Sequence, residues 1–337
     1  MKKRSTYFSI AVIVIGMLLM IISLGSCGFN FKKLDQKNYE TNTHEITESF
    51  TSISISSKNA DISFVPSESE KVSVVCVDKK KMLHDVSVNN GVLSINVDDE
   101  RKWYDHITLF TATTPSITVY LPSGVYGALC IDSKTSDISI PGGYTFESIN
   151  VDISTGDVVC SASSTNFIKI NASTGDVNLS DLEAKDLSIS LSTGDVILEE
   201  CSFENVYAKT STGDHNVSSV SINGAYSLDV STGDATLSNV SCGSFGSTGN
   251  TGNLSLDHVT VANTLFITRS AGHIKLNGSD AGEIYIKTST GDVKGSLLTS
   301  KIFITKTSTG DIDVPASTVG GRCEIKTSTG DIKITTP

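Results

Sequence analysis

The sequence is short of aromatic and of basic residues, and each shortage excludes a class of protein. Phe, Trp and Tyr make up 7% of the 337 residues, with one Trp, and 26 Lys and Arg face 37 Asp and Glu, which gives a formal net charge of −11. A nucleic-acid binder needs a basic face, so that class is excluded. A conventional globular enzyme core would hold more large aromatic side chains. The hydrophobic content of 38% argues against a disordered chain.

Recognisable catalytic and metal-binding motifs are also missing. The chain contains no CxxC, HExxH, GxSxG, P-loop or dinucleotide fingerprint, and its closest pair of cysteines, Cys130 and Cys160, is 30 residues apart. We therefore predict that the protein is not an enzyme and that it has no catalytic, cofactor-binding or metal-binding residue. The cysteines are expected to be small buried hydrophobic residues.

The N-terminus carries one long apolar segment. After Lys2, Lys3 and Arg4 no charge occurs until Lys32, and residues 7–24 are nearly all apolar. We predict a cytoplasmic basic tip at residues 1–6 and a transmembrane anchor or signal segment at residues 7–26, with the rest of the chain outside the cell.

Two alternatives for this segment stay open. Residues 23–27, SLGSC, resemble a bacterial lipobox, which would make Cys27 a possible lipidation site after cleavage. A cleaved signal peptide would instead release the chain. Residues 27–45 are polar and form a spacer in each case.

The dominant feature of the sequence is a recurring Ser-Thr-Gly-Asp. Degenerate copies stand at residues 250–253 and 270–273, and a weaker one at residues 134–137. Successive glycines are 19 or 20 residues apart, and such a fixed period indicates a stacked repeat. We predict these turns to be structural, with the Gly and Asp residues Gly156, Asp157, Gly175, Asp176, Gly194, Asp195, Gly213, Asp214, Gly233, Asp234, Gly291, Asp292, Gly310, Asp311, Gly330 and Asp331.

Apolar residues keep register with the glycines. They recur two and four positions after each Gly and five and seven positions before it, as Val196, Leu198, Ile189 and Leu187 do around Gly194. Spacing by two predicts strands with one buried face. Residues 131–337 are therefore predicted to form an all-β, single-stranded β-solenoid of about ten coils, right-handed by the usual crossover preference.

The entry region, residues 46–130, also alternates as strands. Residues 57–62, SKNADI, look like an early version of the repeated turn, and Asn89-Asn90-Gly91 predicts a hairpin. This region is expected to begin the same stack. Residues 98–106 form a charged loop that holds Trp103. The Trp103 side chain is expected to pack over a loop, and the alternative is an exposed contact point together with Arg101 and Tyr104.

The Asp column has two interpretations. Stacked carboxylates repel one another unless they are hydrogen-bonded, screened or bound to a cation such as calcium. The simpler interpretation is that each Asp accepts backbone N–H groups at its corner. Lys residues four positions before the Gly, such as Lys209 and Lys287, are expected to offset part of the charge.

With its N-terminal anchor, the entry sequence at Phe50–Ile55, the ITVYLP segment at Ile117–Pro122 and the serial turns, the chain resembles the putative-adhesin family of bacterial envelope proteins, a β-strand-repeat domain of unknown function. The resemblance implies a membrane-tethered surface protein with no catalytic residues. We expect a non-enzymatic envelope protein that binds a surface polymer or another envelope protein. A regulatory or sensory accessory protein of an envelope-stress system and a carbohydrate-active β-helix enzyme are the alternatives.

Overall fold

A computed structural model describes residues 39–99 and 114–337, and these residues form strands and no helix. The strands in chain order are β1 (Tyr39–Ile46), β2 (Ser52–Ser57), β3 (Asp61–Ser67), β4 (Val72–Lys79), β5 (Met82–Asn89), β6 (Val92–Asp99), β7 (Ser116–Pro122), β8 (Gly124–Thr135), β9 (Ile138–Ile140), β10 (Tyr144–Thr155), β11 (Val158–Cys160), β12 (Ser163–Thr174), β13 (Val177–Ser180), β14 (Glu183–Thr193), β15 (Val196–Glu199), β16 (Ser202–Thr212), β17 (His215–Ser218), β18 (Ser221–Thr232), β19 (Ala235–Ser238), β20 (Ser241–Thr251), β21 (Leu254–Asp257), β22 (Thr260–Ala271), β23 (Ile274–Thr290), β24 (Val293–Leu297), β25 (Lys301–Lys306), β26 (Ile312–Asp313), β27 (Gly321–Lys326) and β28 (Ile332–Thr335).

These strands stack into two parallel columns. Long strands from β8 through β22 pair in register with the next long strand, and short strands from β9 through β21 do the same. Each residue pairs with the equivalent residue one repeat later in the sequence, as Leu187 does with Val206 and Val196 does with His215. The predicted all-β solenoid of about ten turns is confirmed. No helix among the described residues is long and apolar enough to cross a membrane, and the helix predicted over residues 7–26 lies outside them.

The core is a thin apolar layer between the two columns. The inward positions predicted from the spacing are buried along the stack, as Ile189, Val196 and Leu198 show with exposures of 0%. The prediction is wrong for Ile312, which is 45% exposed because its coil is the outermost one at the C-terminal end and has a neighbour on one side only. A further inward column lies three residues before each Gly and includes Leu191 and Val230. Each coil supplies only a few side chains to this layer, which explains the low aromatic content.

The first coil is interleaved with the second. Strand β2 pairs on one side with β6 and on the other with β8, and β3 lies between β7 and β9 in the same way. Antiparallel strands cover this end, since β5 pairs with β6, β4 with β7, and β1 with β4. The predicted hairpin turn joins β5 to β6, where Asn90 and Gly91 have φ of 51° and 76°.

The last two coils are interleaved as well. Strand β27 pairs with β23 and with β25, and β28 pairs with β24 and with β26. The coil of β27 and β28 therefore lies between two coils that precede it in sequence. Gly320 and Gly321 permit this insertion because they have no Cβ. A Cβ at Gly320 would lie 1.8 Å from the Ser300 carbonyl oxygen, and a Cβ at Gly321 would lie 2.0 Å from the Gly282 carbonyl oxygen.

Five of the six cysteines in the described residues are buried, as expected, but Cys130 is exposed. It lies on an outward position of β8, so the expectation of buried cysteines is wrong for this residue. Cys27 and Trp103 lie outside the described residues.

Candidate functional site: the turn ladder, a buried polar network and a groove

The Asp of each turn accepts a hydrogen bond from the backbone N–H of the equivalent residue in the next coil. The contact runs without interruption from Asp61 to Asp311, with N–O or N–N distances of 2.7 to 3.1 Å. We call this line the turn ladder. Its acceptors in spatial order are Asp61, Asp137, Asp157, Asp176, Asp195, Asp214, Asp234, Asn253, His273, Asp292 and Asp331.

The degenerate repeats keep the acceptor although they lose the Asp. Asn253 accepts the N–H of His273 through Oδ1 at 2.9 Å, and His273 accepts the N–H of Asp292 through Nδ1 at 3.1 Å. The position therefore needs a short side chain with an acceptor, and a negative charge is not required.

The glycines of the turns are needed because the coils approach closely. Gly194 has φ of 138°, and a Cβ there would lie 2.0 Å from the carbonyl oxygen of Gly175 in the preceding coil. A non-Gly residue is strained at this φ and would also collide with the backbone.

The charge of the ladder is unevenly compensated. Asp292 and Asp331 lie 2.6 and 3.7 Å from Lys294 Nζ. The hydrogen bond from Lys294 and then the N–H of Asp331 lower the pKa of Asp292. Within the described part of the chain, the ladder carboxylates from Asp137 to Asp234 have no ion-pair partner.

The lysines that neutralise the ladder are not those expected from the sequence. Lys294 and Lys333 stand three residues after their Gly, whereas Lys209, four residues before its Gly, lies 4.0 Å from Asp229 on the outer face of the long strands. Oδ1 of each ladder carboxylate already accepts one backbone N–H, so a cation would share that oxygen with the N–H or bridge the other oxygens of successive coils, about 4.8 Å apart. Calcium binding stays an untested alternative.

A buried Ser–His–Asp network lies under the antiparallel strands at the N-terminal end. His84 Nε2 is 3.1 Å from Ser57 Oγ, and its Nδ1 is 2.6 Å from Asp78 Oδ1. The order of the three groups is that of a serine hydrolase triad. His84, Ser57 and Asp78 are 3%, 5% and 0% exposed, so a substrate cannot reach the serine. The network instead ties β4 and β5 to the first coil.

Cys76 lies beside this network. Its sulfur, an Asp78 oxygen and a His84 nitrogen lie within 4.8 Å of one another, a set that could hold a metal ion. Burial and then the charge of Asp78 raise the pKa of Cys76 to about 12, which disfavours the thiolate that a metal requires. The direct hydrogen bond between Asp78 and His84 would also have to open.

A longitudinal groove of about 610 Å³ runs along the corner where each coil enters its long strand. A β-bulge follows Ile222, Cys242 and Val261 in three successive coils beside it. The groove has a rim of hydroxyl groups and an apolar floor. The rim includes Ser221, Ser241 and Thr260, and the floor includes Ile222, Val261 and Ala281.

The structure brings the predicted turn residues into one line, with the order of Asp311 and Asp331 reversed relative to the sequence. Sequence reasoning missed the network of Ser57, Asp78 and His84. The available signal was alternation, since Asp78 and His84 fall on the inward positions of β4 and β5. It also missed the groove, which depends on bulges that no motif marks.

Solved structures that match the chain come from bacterial sources. A putative adhesin from Bacteroides fragilis is 13% identical, with a TM-score of 0.37 over 88% of this chain and 97% of that one. A putative lipid binding protein from Parabacteroides distasonis is also 13% identical, with a TM-score of 0.35 over the same shares. A putative adhesin from Parabacteroides merdae is 13% identical, with a TM-score of 0.29 over 89% and 96%.

No curated protein matches the sequence. The family model described as Toastrack DUF4097 matches residues 50–251 and 239–337, which cover the solenoid and most of its entry region. This match confirms the expected resemblance to a β-strand-repeat family of unknown function. The stacked strands, the serial turns and this match together identify the chain as a member of the Toastrack DUF4097 family.

Proposed function

We propose that the protein is a non-enzymatic envelope protein, anchored in the membrane by residues 7–26, whose solenoid binds a surface polymer or another envelope protein outside the cell. The observation that carries this proposal is the groove of about 610 Å³ along the solenoid. Ligand sites commonly have volumes of about 300–1,000 Å³. An extended ligand suits the groove because successive coils line it with equivalent residues, such as Ser221, Ser241 and Thr260.

Rigidity of the solenoid supports a binding role. Each coil is fixed to the next by two parallel strand pairings and by the turn ladder. Five coils, from Ser221 to Thr299, contribute to the groove, which spans roughly 19 Å at about 4.8 Å per coil. A surface preformed in this way loses little conformational entropy when it binds.

The sealed serine network supports a non-enzymatic role. Ser57 is 5% exposed, and its hydroxyl also accepts the N–H of Ala60 at 3.3 Å. A hydrolase needs its nucleophile within reach of a substrate carbonyl.

Binding is tested with the full-length protein in detergent and with cell-wall polymer isolated from the source bacterium. Thr260→Trp fills the groove, and Thr236→Trp places the same side chain on the exposed outer face of β19. We expect Thr260→Trp to weaken sedimentation with the polymer at least tenfold and Thr236→Trp to leave it unchanged. Equal binding by the two variants and the unaltered protein would refute the groove as the site.

Anchoring is tested separately by cell fractionation and by protease treatment of intact cells. We expect the Cys27→Ala variant to stay in the membrane fraction at unchanged mass, with the solenoid accessible to added protease. Release of the variant would show that a lipid on Cys27, and not the helix, anchors the protein. Release of the unaltered protein would refute anchoring altogether.

A further inference from the structure

The charge of the solenoid is unevenly distributed along the chain. Residues 131–273 contain 17 acidic and 5 basic residues, whereas residues 274–337 contain 7 acidic and 8 basic residues. The net charge of −11 therefore comes from the earlier coils, and the basic residues concentrate in the coils at the C-terminal end. A local excess of one sign determines which ligands a surface attracts.

Three of these basic residues form a straight row on the outer face of the long strands. Lys287 of β23 pairs in register with Lys326 of β27, and Lys326 pairs with Lys306 of β25. All three side chains are exposed. Neighbouring strands lie about 4.8 Å apart, so the row is roughly 10 Å long and runs along the stack. We call it the lysine row.

The repeat does not require lysine at this position. In the six preceding coils the equivalent residues, each paired in register with the next, are Asn171, Ser190, Lys209, Asp229, Thr248 and Thr268. The single lysine among them lies 4.0 Å from the aspartate of the next coil. Like charges directly opposite each other on neighbouring strands are destabilising. Three consecutive lysines therefore carry a cost that the fold does not explain.

The charge of the lysine row is only partly compensated. Glu324 accepts hydrogen bonds from both Lys326 and Arg322. Within residues 39–99 and 114–337, neither Lys287 nor Lys306 forms an ion pair. The lysines on the short strands differ, because they pair with carboxylates of the turn ladder. The lysine row thus offers ammonium groups to an anion from outside.

Hydroxyl groups run beside the lysine row. Ser289, Ser328 and Ser308 each stand two residues after one of the three lysines, and all are exposed. Backbone hydrogen bonds align them, since the N–H of Ser328 donates to the Ser289 oxygen and the N–H of Ser308 to the Ser328 oxygen, each at 3.2 Å. An ammonium group and a hydroxyl therefore recur together in three successive coils, and both can donate to anionic oxygens.

We propose that the lysine row binds a linear polyanion that lies along the solenoid. A row that is one side chain wide suits a single extended chain whose acidic groups meet successive lysines. A bilayer is recognised instead by a broad basic cluster or by apolar side chains that insert into it. Contact with several lysines at once makes the binding of a polymer stronger than that of its separate acidic groups.

The lysine row is a different surface from the groove. Lys287 lies six residues after Ala281 of the groove along β23, roughly 20 Å at about 3.3 Å per residue. Lys301 lines the groove, but it is 4% exposed and is paired with Asp280 at 2.7 Å. The groove therefore offers no free cation to an anionic ligand, and the two surfaces bind ligands of different chemistry.

The full-length protein in detergent is titrated with long-chain polyphosphate as the probe polyanion. Orthophosphate at the same total phosphate concentration is the reference. We expect the polymer to bind at least tenfold more tightly than orthophosphate and to weaken as sodium chloride is added. Equal binding of the two forms of phosphate would overturn the proposal of a linear ligand.

Substitution tests the lysine row itself. The triple variant Lys287→Gln, Lys306→Gln, Lys326→Gln should bind polyphosphate at least tenfold more weakly, and its thermal midpoint should not fall, because it removes exposed like charges. Lys306→Gln alone changes the outermost strand and should lose a smaller part of the binding. Lys209→Gln is the matched control, since it alters the equivalent position of an earlier coil and should bind as the unaltered protein does. Unchanged binding by the triple variant would overturn the proposal.

Two further measurements distinguish the lysine row from other surfaces and ligands. Thr260→Trp fills the groove and should leave polyphosphate binding unchanged, whereas a loss would place the polyanion in the groove. Detergent micelles that contain phosphatidylglycerol should not displace the polyphosphate. Displacement would assign the lysine row to an anionic membrane and overturn the polymer as its ligand.

Discussion

Asp331 donates its backbone N–H to Asp292 at 2.9 Å and accepts the N–H of Asp311 at 3.1 Å. The last coil in sequence is therefore the second from the end in space. The same line of contacts passes through nine further turns, and it shows that the Asp of the repeat serves to join coils through its acceptor oxygen.

The glycine of the turn is expected to be indispensable. Gly194→Ala introduces a Cβ 2.0 Å from the Gly175 oxygen at a φ of 138°, and we expect a loss of about 3 kcal/mol or more in the free energy of unfolding. Gly246→Ala is the matched control, because nothing lies within 4 Å of its Cβ. Denaturant unfolding monitored by circular dichroism measures both, and similar losses would contradict the close-approach explanation.

The Asp of the turn is expected to act through its acceptor and not through its charge. Asp195→Ala leaves the N–H of Asp214 without its side-chain acceptor and should cost about 1 kcal/mol. Asp195→Asn keeps Oδ1, as Asn253 does in its own coil, and it also removes one of a row of like charges. We expect Asn to be at least as stable as Asp. A loss with Asn equal to that with Ala would show that the charge itself is required, as a bound cation would demand.

The buried network at the N-terminal end is expected to be structural. His84→Ala leaves Asp78 buried without its ring partner, and we expect a loss of about 3 kcal/mol. Ser57→Ala removes one hydroxyl and should cost about 1 kcal/mol. Unfolding measures the two losses, and a fluorophosphonate probe should leave Ser57 unmodified in the folded protein. Labelling of Ser57 would reopen the question of hydrolase activity.

Acid is expected to destabilise the solenoid through His215. Burial and then the positive charge of Arg269, which is itself buried, lower the pKa of His215 to about 4 in the folded protein, below the value of about 6.5 for an unfolded chain. The unfolded state therefore binds more protons between these pH values, and stability falls as the pH drops from 6.5 to 4, by about 3 kcal/mol in total.

This acid-dependent loss can be assigned by substitution. His215→Val places at this position the residue that Val196 supplies one coil earlier, and it should flatten the dependence between pH 6.5 and 4. His258→Gln alters an exposed ring and should leave the dependence unchanged. The free energy of unfolding is measured at several pH values for both variants and the unaltered protein. An unchanged pH dependence in His215→Val would show that His215 is not the group responsible.

The repeat predicted the solenoid and its inward columns because register between coils follows directly from the period. It could not predict the order of the last coils. Both Gly310 and Gly330 keep the spacing of 19 or 20 residues, and a ladder position accepts either of them. The observed order requires a close approach at Gly320 and Gly321, which lie outside the repeated turn.

The buried polar groups were harder to predict for a different reason. Arg269 stands beside a degenerate turn, and in sequence it is indistinguishable from a chance substitution. Only the stacking reveals that Gly249 and Ser247, about 20 residues earlier, accommodate it. The bond between Asp78 and His84 likewise depends on how β4 and β5 fold together, and the period contains no information about it.

The interleaved end has a mechanical consequence. Force applied at the C-terminal residues meets β27 and β28 while each is hydrogen-bonded to a neighbour on both sides. The coil therefore has to shear from two partners at once, whereas a coil at an open end could be peeled from one. A pull on the C-terminus therefore has to break the pairings of β27 and β28 with two neighbours each before this coil leaves the stack.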